Sequence, residues 1–346
     1  MKARAERRRA RAVDGHPKPG SAVTLADVAA AAGVGESTVS RVLRNHGSFS
    51  DRTRDRVMAA VATLGYVPNR IAGTLASAGS RLVGVVVPSL ANIVFPDVLR
   101  GIGTALDATG HQSVIGVSEY DPAREEALVA AMLAWRPAAV LVAGLEHSGG
   151  ARAMLAAGGA RVAEMLDIDG AGIDIVVGFS NREAGAASAR HLLARGYRRI
   201  GYVGHDLERD TRAAKRLAGF EAALAQAGLA LADREAVVAP SSIGAGRDGL
   251  ERILARTPSL DAVYFSNDDM AVGGYFLCLS RGIAIPGRLA LFGYNGLDVA
   301  RLAPQPLATI RTPRVLVGET AARLALSGAA AQVVDVGFDL IEGATT

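Results

Sequence analysis

From residue 82 onward, short apolar runs of strand length recur, with helical stretches between them. "LVGVVVPS", "HQSVIGVS", "AAVLVAG" and "ARVAEML" form a first set; "RRIGYVGHD", "AVVAPS", "DAVYFSND" and "LALFGYN" form a second. Runs that stay apolar rather than alternating suit strands covered on both faces. Strands of that kind separated by helices build parallel sheets from βαβ units. Two sets predict two lobes: an α/β body with parallel sheets, whose ligands sit at the carboxyl ends of strands and between the lobes. Half of the chain is hydrophobic while only 5% is aromatic, which favours an aliphatic, alanine-rich α/β interior over a β-sandwich.

The first 80 of the 346 residues differ in kind. They hold 13 Lys and Arg against 6 Asp and Glu, whereas the remainder holds 25 against 28. A basic head on a mildly acidic body points to a polyanionic partner for the head alone; a solvated basic tail has the same balance. "MKARAERRRARAVDGHPKPG" has a charged start with no apolar stretch behind it, so it reads as a flexible basic arm rather than a signal peptide. No apolar run reaches the roughly 18 residues of a membrane span. Cys278, in "AVGGYFLCLS", is the one cysteine, which excludes an internal disulfide framework. The expectation is a cytoplasmic protein with no membrane contact and a buried structural thiol.

Within the head, "TLADVAAAAGVGESTVSRVLRN" gives two short helical patterns broken at Gly33. The first turns Leu25, Val28, Ala29 and Ala32 inward. The second starts at about Ser37 and backs Val39, Val42 and Leu43 with short polar side chains and arginines. A third, "SDRTRDRVMAAVATLG", aligns Val57, Val61 and Leu64, with Ser50 as its cap and Gly65 as its stop. "YVPNRIAGTLASAGS" follows as a linker. Two helices joined by a tight glycine turn, the second carrying small polar groups outward, make the helix-turn-helix pattern, whose second helix enters the major groove. Glu36, Ser37 and Arg41 lead that face: an arginine bridges guanine O6 and N7, and a carboxylate accepts from cytosine N4. Thr38, Ser40 and Arg44 are placed to bond phosphate oxygens and fix register. A buried αα corner has a similar pattern; the basic balance, the third helix and the linker favour DNA.

Enzyme chemistry finds little footing. The pair Gly101-x-Gly103 has no strand directly before it and the wrong spacing for a dinucleotide loop. The six histidines show no HxxH or HExxH pairing, and the adjacent Asp268 and Asp269 have no placed serine nucleophile. No catalytic residue, metal ligand or cofactor is expected.

"VTLADVAAAAGVGESTVSRVLRN" followed by "GYVPNRIAGTLA" resembles the headpiece and hinge of the LacI/GalR family of transcriptional regulators. The resemblance continues through "IGYVG", "RLAGFEAAL", "SNDDMAVGG" and "LFGYNGLDVA" to "TIRTPR", over residues 23–340 or so. "VPSLANIVFPDVLRGI", "MLAWRP" and "TPR" look most like the gluconate-operon repressor subgroup. The organisation expected is a basic arm at 1–22, a DNA-binding headpiece at 23–67, a hinge helix and linker at 68–80, and a two-lobed effector-binding and dimerisation domain at 81–346. The resemblance implies a homodimer, or a dimer of dimers, on a near-palindromic double-stranded operator. It also implies DNA contacts from Thr24, Asn69 and Arg70, and a hinge helix at Asn69 to Ala76 that forms only on DNA. Leu75 matches the family's leucine wedge, which inserts between base pairs in the minor groove. A helix that short does not persist alone in water, and Gly73 weakens it by roughly 1 kcal/mol relative to Ala. One departure is Gly35, where the family usually has Ser or Thr. Glycine still caps a helix at a cost of a few tenths of a kcal/mol, but the hydroxyl contact to phosphate is lost. Glu36 after it suits the helix dipole yet is repelled by phosphate unless it pairs with a base or an arginine.

The body resembles a periplasmic binding protein, its lobes joined by three crossings expected near residues 180, 310 and 328. Arg212 and Arg216 lie four apart, hence on one helix face, and Arg216 opens "RLAGF", matching the family's effector-binding arginine. Two guanidinium groups suit a carboxylate or phosphate; two solvated surface arginines have the same spacing. Asn267 of "SNDD" and Asn295 of "GYNG" lie just past expected strand ends. Asp167 in "EMLDID" and Phe179 in "VVGFSN" match further family cleft positions, and Asn92 and Phe95 fall in the loop expected after the first strand. "APSSIGAG" carries no aromatic where the family commonly supplies a stacking wall. The expectation is a repressor that a small sugar acid such as gluconate releases from its operator; the alternative is a corepressor, with a different sugar or a phosphorylated effector. A transport solute-binding protein shares the body but requires export, and an architectural DNA binder would have a sealed cleft.

Overall fold

The computed structural model describes residues 23–43, 45–67, 80–91, 94–238 and 240–346. The chain divides into two units, residues 1–78 and 79–346. In the first, three helices follow the capping signals in the sequence: α1 (Leu25–Ala32), α2 (Glu36–Leu43) and α3 (Asp51–Leu64). Thr24 and Asp27 form a reciprocal capping box: Thr24 N–H donates to Asp27 Oδ2 at 2.8 Å, and Asp27 N–H donates to Thr24 Oγ1 at 3.3 Å. Gly33 ends α1 at φ +62°, where its N–H reaches back to the carbonyls of Ala29 and Ala30. A side chain there would strain the backbone and strike Arg56, whose guanidinium bonds the carbonyls of Ala32 and Gly33. That arginine ties α3 to the turn between α1 and α2. Val28, Ala29, Ala32, Val39, Val42, Val57 and Ala60 close the small core, with Leu25, Val61 and Leu64 half-buried around it.

The second unit holds two six-stranded sheets. The first lobe contains β1 (Leu82–Val87), α4 (Val94–Asp107), β2 (Gln112–Val117), α5 (Pro122–Ala134), β3 (Ala139–Ala143), α6 (Gly149–Ala157), β4 (Arg161–Met165) and β5 (Ile175–Gly178). The second contains α7 (Asn181–Ala194), β6 (Ile200–His205), α8 (Thr211–Gln226), β7 (Asp233–Val237), α9 (Ile243–Arg256), β8 (Ala262–Phe265), α10 (Asp268–Ser280), β9 (Ala290–Asn295), α11 (Asp298–Arg301) and β10 (Ala308–Arg311). The chain then returns through α12 (Arg314–Leu326) and β11 (Gln332–Asp335) to the first sheet and ends on β12 (Asp339–Ile341) in the second. Strand orders are β11-β5-β4-β3-β1-β2 and β12-β10-β9-β8-β6-β7; the pairings are parallel except that of β10 with β12. The third crossing therefore falls between Asp335 and Asp339, not near 328. Residue 328 is a glycine turn at φ +71° between α12 and β11, and α12 packs on α4 and the first sheet. The strand expected in "AVVAPS" begins earlier, at Asp233, and is an edge strand with alternating exposure.

In each sheet the order reverses beside the strand that opens its lobe: β1 lies between β3 and β2, and β6 between β8 and β7. Loops leaving the carboxyl ends of such neighbours diverge and leave a crevice. Glycines fix the helices behind it. A Cβ on Gly185 of α7 would overlap the Arg216 carbonyl of α8, and one on Gly219 would overlap that of Arg182. Gly101, half of the glycine pair that mimics a dinucleotide loop, lies within α4, where a Cβ would overlap the Val315 carbonyl of α12. Gly101→Ala is therefore expected to force α4 and α12 apart and to destabilise the body by about 1–3 kcal/mol, as overpacking does. Gly103→Ala, which meets nothing within 4 Å, is the control; thermal unfolding of both variants checks this.

Candidate DNA-contact surface and effector cleft

Helix α2 starts on backbone alone: the Gly35 carbonyl accepts from Thr38 N–H at 2.9 Å and Val39 N–H at 3.1 Å. A serine would fit at Gly35, since a Cβ there meets only Ser37 Oγ at 3.8 Å. Val39 and Val42 point into the core, leaving Glu36, Ser37 and Arg41 exposed, with Thr38 and Ser40 half-buried between them. The Arg41 guanidinium lies along the helix surface, donating from Nε to the Ser37 carbonyl at 3.4 Å and from Nη2 to Thr38 Oγ1 at 3.3 Å. Thr24 is exposed, its hydroxyl shared with Asp27. Arg44, Asn69, Arg70 and Leu75, and Asn92 of the body, lie outside the described residues.

In the body, loops after β1, β2 and β3 face the start of α8 across a cleft of about 440 Å³. Pro88, Tyr120, Gly144, Glu146 and His147 line one wall; Arg209, Thr211 and Arg212 line the other. Tyr120 and Arg209 also border a hollow of about 170 Å³ that reaches His205, Ser241 and Asn267. The Arg212 guanidinium stands 5.7 Å over the Phe95 ring and 3.8 Å from Asp210. Gly144, at φ +91°, makes room for it: a Cβ there would sit 3.1 Å from Arg212 Nη1. Phe95 lies inside α4 rather than in a loop.

The other residues expected in the cleft are engaged more deeply. Arg216 is 5% exposed; it donates to Asn181 Oδ1 at 3.2 Å and the Ser266 carbonyl at 3.3 Å, and lies 4.1 Å from the Tyr294 ring centroid. Asn295 Nδ2 donates to Asn267 Oδ1 at 3.1 Å, and Asn267 Nδ2 to Ser241 Oγ at 3.0 Å. Asp167 is wholly buried and accepts from Lys215 Nζ at 2.5 Å; Phe179 packs in the core. Arg212 and Asn267 thus reach open volume, whereas Asp167, Phe179 and Arg216 do not line it. Tyr120, Glu146, His205 and Lys215 escaped the sequence reading. Lys215 was within reach, since it follows Thr211 by four and Arg212 by three on the same helix.

His205 bridges Ser266 Oγ at 3.1 Å and Asp210 Oδ2 at 3.2 Å, the connectivity of a Ser-His-Asp relay. Ser266 is only 1% exposed, so no substrate carbonyl reaches its hydroxyl, and the nucleophile's position that such chemistry requires is missing. Asp210 also caps α8; burial opposes its charge, but His205 and the nearby arginines hold the carboxyl far below its usual range. Cys278 is buried, and desolvation pushes its thiol up to about 11, which makes it inert.

His147 sits between two carboxylates, with Nδ1 2.7 Å from Glu125 and Nε2 3.4 Å from Glu164. Burial works against the charged ring, yet Glu125 and Glu164 outweigh it and raise its pKa to about 9. A group with a raised pKa stabilises the fold fully below its unfolded value, and that contribution is lost as pH rises through the folded one. Between about pH 6 and about pH 10 the wild type should therefore lose stability that His147→Gln does not, about 3 kcal/mol. Urea unfolding midpoints of both chains across that range check this.

Comparison with known proteins agrees with both parts. Residues 24–69 match the bacterial regulatory proteins of the lacI family, and residues 80–332 match the periplasmic binding proteins and sugar binding domain of the LacI family. The HTH-type transcriptional regulator GntR of Pseudomonas aeruginosa is 39% identical over 330 residues, covering 93% of this chain and 95% of that protein. A LacI family transcriptional regulator from Silicibacter pomeroyi superposes with a TM-score of 0.89 at 45% identity, covering 93% of this chain and 99% of the other. The lac repressor dimer bound to operator and the anti-inducer ONPF superposes with a TM-score of 0.78 at 26% identity, covering 94% and 99%. These are transcriptional regulators, not enzymes, and among the described residues no helix is long and apolar enough to cross a membrane. This chain belongs to the LacI family of bacterial DNA-binding transcriptional repressors.

Proposed function

We propose that this repressor binds a near-palindromic operator as a dimer and is released by a small sugar acid of the gluconate class. The observation that carries the effector reading is Arg212, a guanidinium on the wall of a 440 Å³ cleft that also presents Glu146 and Tyr120. A carboxylate pairs with the guanidinium in bidentate fashion, while the acidic and phenolic groups suit a polyol's hydroxyls. The sequence resemblance to the gluconate-operon repressor subgroup points the same way, as does the relative named GntR.

For DNA, the outer face of α2 offers Glu36, Ser37 and Arg41 to base edges, with Thr38, Ser40 and Arg44 beside phosphates. Thr24 and the hinge residues Asn69, Arg70 and Leu75 complete the contact. Residues 23–67 serve as the headpiece, 68–80 as the hinge and 81–346 as the effector-binding and dimerisation part, with the basic arm 1–22 in front. A second copy of this chain covers an apolar face of the second lobe: Ile243 on α9, Phe276 and Leu279 on α10, and Val299 and Leu302 at α11 are all exposed large side chains. These helices pack side by side, and exposed apolar side chains on neighbouring elements suit an interface. Release of the operator requires the effector to favour the lobe arrangement that does not bind DNA, because equal affinity for both arrangements shifts nothing.

Calorimetric titration of the full chain with gluconate tests the effector reading. The wild type is expected to bind, and Arg212→Met to bind roughly 10–100-fold more weakly, the range for a lost charge-assisted hydrogen bond. Absence of gluconate binding, or an Arg212→Met affinity equal to the wild type, would overturn it.

A further inference from the structure

Lys215 joins the two lobes. It projects from α8 of the second lobe, yet its ammonium lies 2.5 Å from Glu146 Oε1 and 2.5 Å from Asp167 Oδ2, which follow β3 and β4 of the first lobe. The remaining oxygens are held as well. Thr211 Oγ1, one turn earlier on α8, donates to Glu146 Oε2 at 3.0 Å, and Asp169 N–H donates to Asp167 Oδ1 at 3.0 Å. The Lys215 side chain is 11% exposed and Asp167 is wholly buried, while Glu146 keeps one edge on the cleft. Burial would lower the lysine's affinity for its proton; the two carboxylates outweigh this and hold it charged.

We infer that Lys215, Glu146 and Asp167 form an ionic latch that sets how far the two lobes open. The ammonium travels with α8, which Gly185 and Gly219 lock against α7 of its own lobe. The carboxylates travel with the first sheet. Any opening that parts α8 from the β3 and β4 loops separates one cation from two anions, and a buried carboxylate stripped of its partner favours whatever arrangement exposes it to water. The alternative role, plain packing of a lysine stem, predicts that a side chain of similar length and no charge keeps the lobes where they are. Charge and length are therefore separable. The latch regulates effector binding only if this cleft is the effector site, as proposed above, but the interlobe distance can be read with no effector present.

Pulsed electron paramagnetic resonance on the ligand-free full chain tests it. Nitroxides are placed at Asp107→Cys on α4 and Glu221→Cys on α8, both exposed, and labelled chains are diluted with unlabelled ones so that distances within one chain dominate. The buried Cys278 is checked for labelling in the chain without added cysteines. Lys215→Met is expected to shift the distance distribution to longer values and broaden it, whereas Lys215→Arg, which keeps the charge, stays near the wild type. Superposition of Lys215→Met on the wild type, or an equal shift in Lys215→Arg, would overturn the latch. Should Lys215→Met not fold, Glu146→Gln removes one pair from the accessible side; a smaller shift in the same direction supports the latch, and no shift overturns it. Gluconate failing to bind leaves all of these outcomes readable.

Discussion

Everything about the cleft depends on how parallel strands must be connected. The strands that open each lobe leave their sheet at the carboxyl end and come back through helices, so β1 and β6 acquire neighbours on both sides whose exits run apart. The loops after β1, β3 and β6 consequently face one another without meeting, and the gap is filled by side chains rather than by backbone. Arg212, Thr211 and Lys215 reach it because only five residues separate the end of β6 from the start of α8. Nothing in the chemistry of the individual residues would gather them; the topology does.

Within the gap, charge decides which groups stay available. Lys215 is neutralised by two carboxylates, and Arg216 is sequestered under Tyr294 and against Asn181. Arg212 makes a long contact of 3.8 Å to Asp210 and stands over the Phe95 ring, so among the described residues it is less tightly paired than Lys215 and lies on the cleft wall, where it suits an incoming anion. The proposed effector, with one acidic end and many hydroxyls, fits a cleft that has several acids along its rim. Arg212 itself lies between the lobes, over Phe95 of the first, with Thr211 and Lys215 on either side of it along α8 both bonding Glu146.

The headpiece was legible in the sequence because its limits are written in single residues with one conformational reason each. Thr24 and Ser50 cap, Gly33 and Gly65 stop at positive φ, and apolar residues recur at helical spacing between them. The long buried strands were legible for a similar reason: β1 and β3 are apolar throughout, and β6 is apolar up to His205 at its end. Strands β5, β10, β11 and β12 were not, since three or four residues carry too little pattern and their pairing is set by distant partners. The return of β11 to the first sheet and of β12 to the second displaced the third crossing for that reason. At the cleft, sequence spacing placed Arg212 and Arg216 on one face but gave no measure of depth, and depth separates them. Gly101 looked like half a phosphate loop and proved to be a helix contact, because a glycine that admits a phosphate and one that admits a neighbouring helix read alike.

The proposed function requires the α2 face of the headpiece to read a specific duplex and the cleft to control this reading. Fluorescence anisotropy of labelled DNA from upstream of the protein's own gene, at fixed salt because phosphate contacts alone shift affinity steeply, measures it directly against a scrambled duplex of equal length and composition. Tight binding to the native duplex, weak binding to the scrambled one, and loss of the native complex on adding gluconate are expected. Equal affinity for the two duplexes would contradict the proposed function.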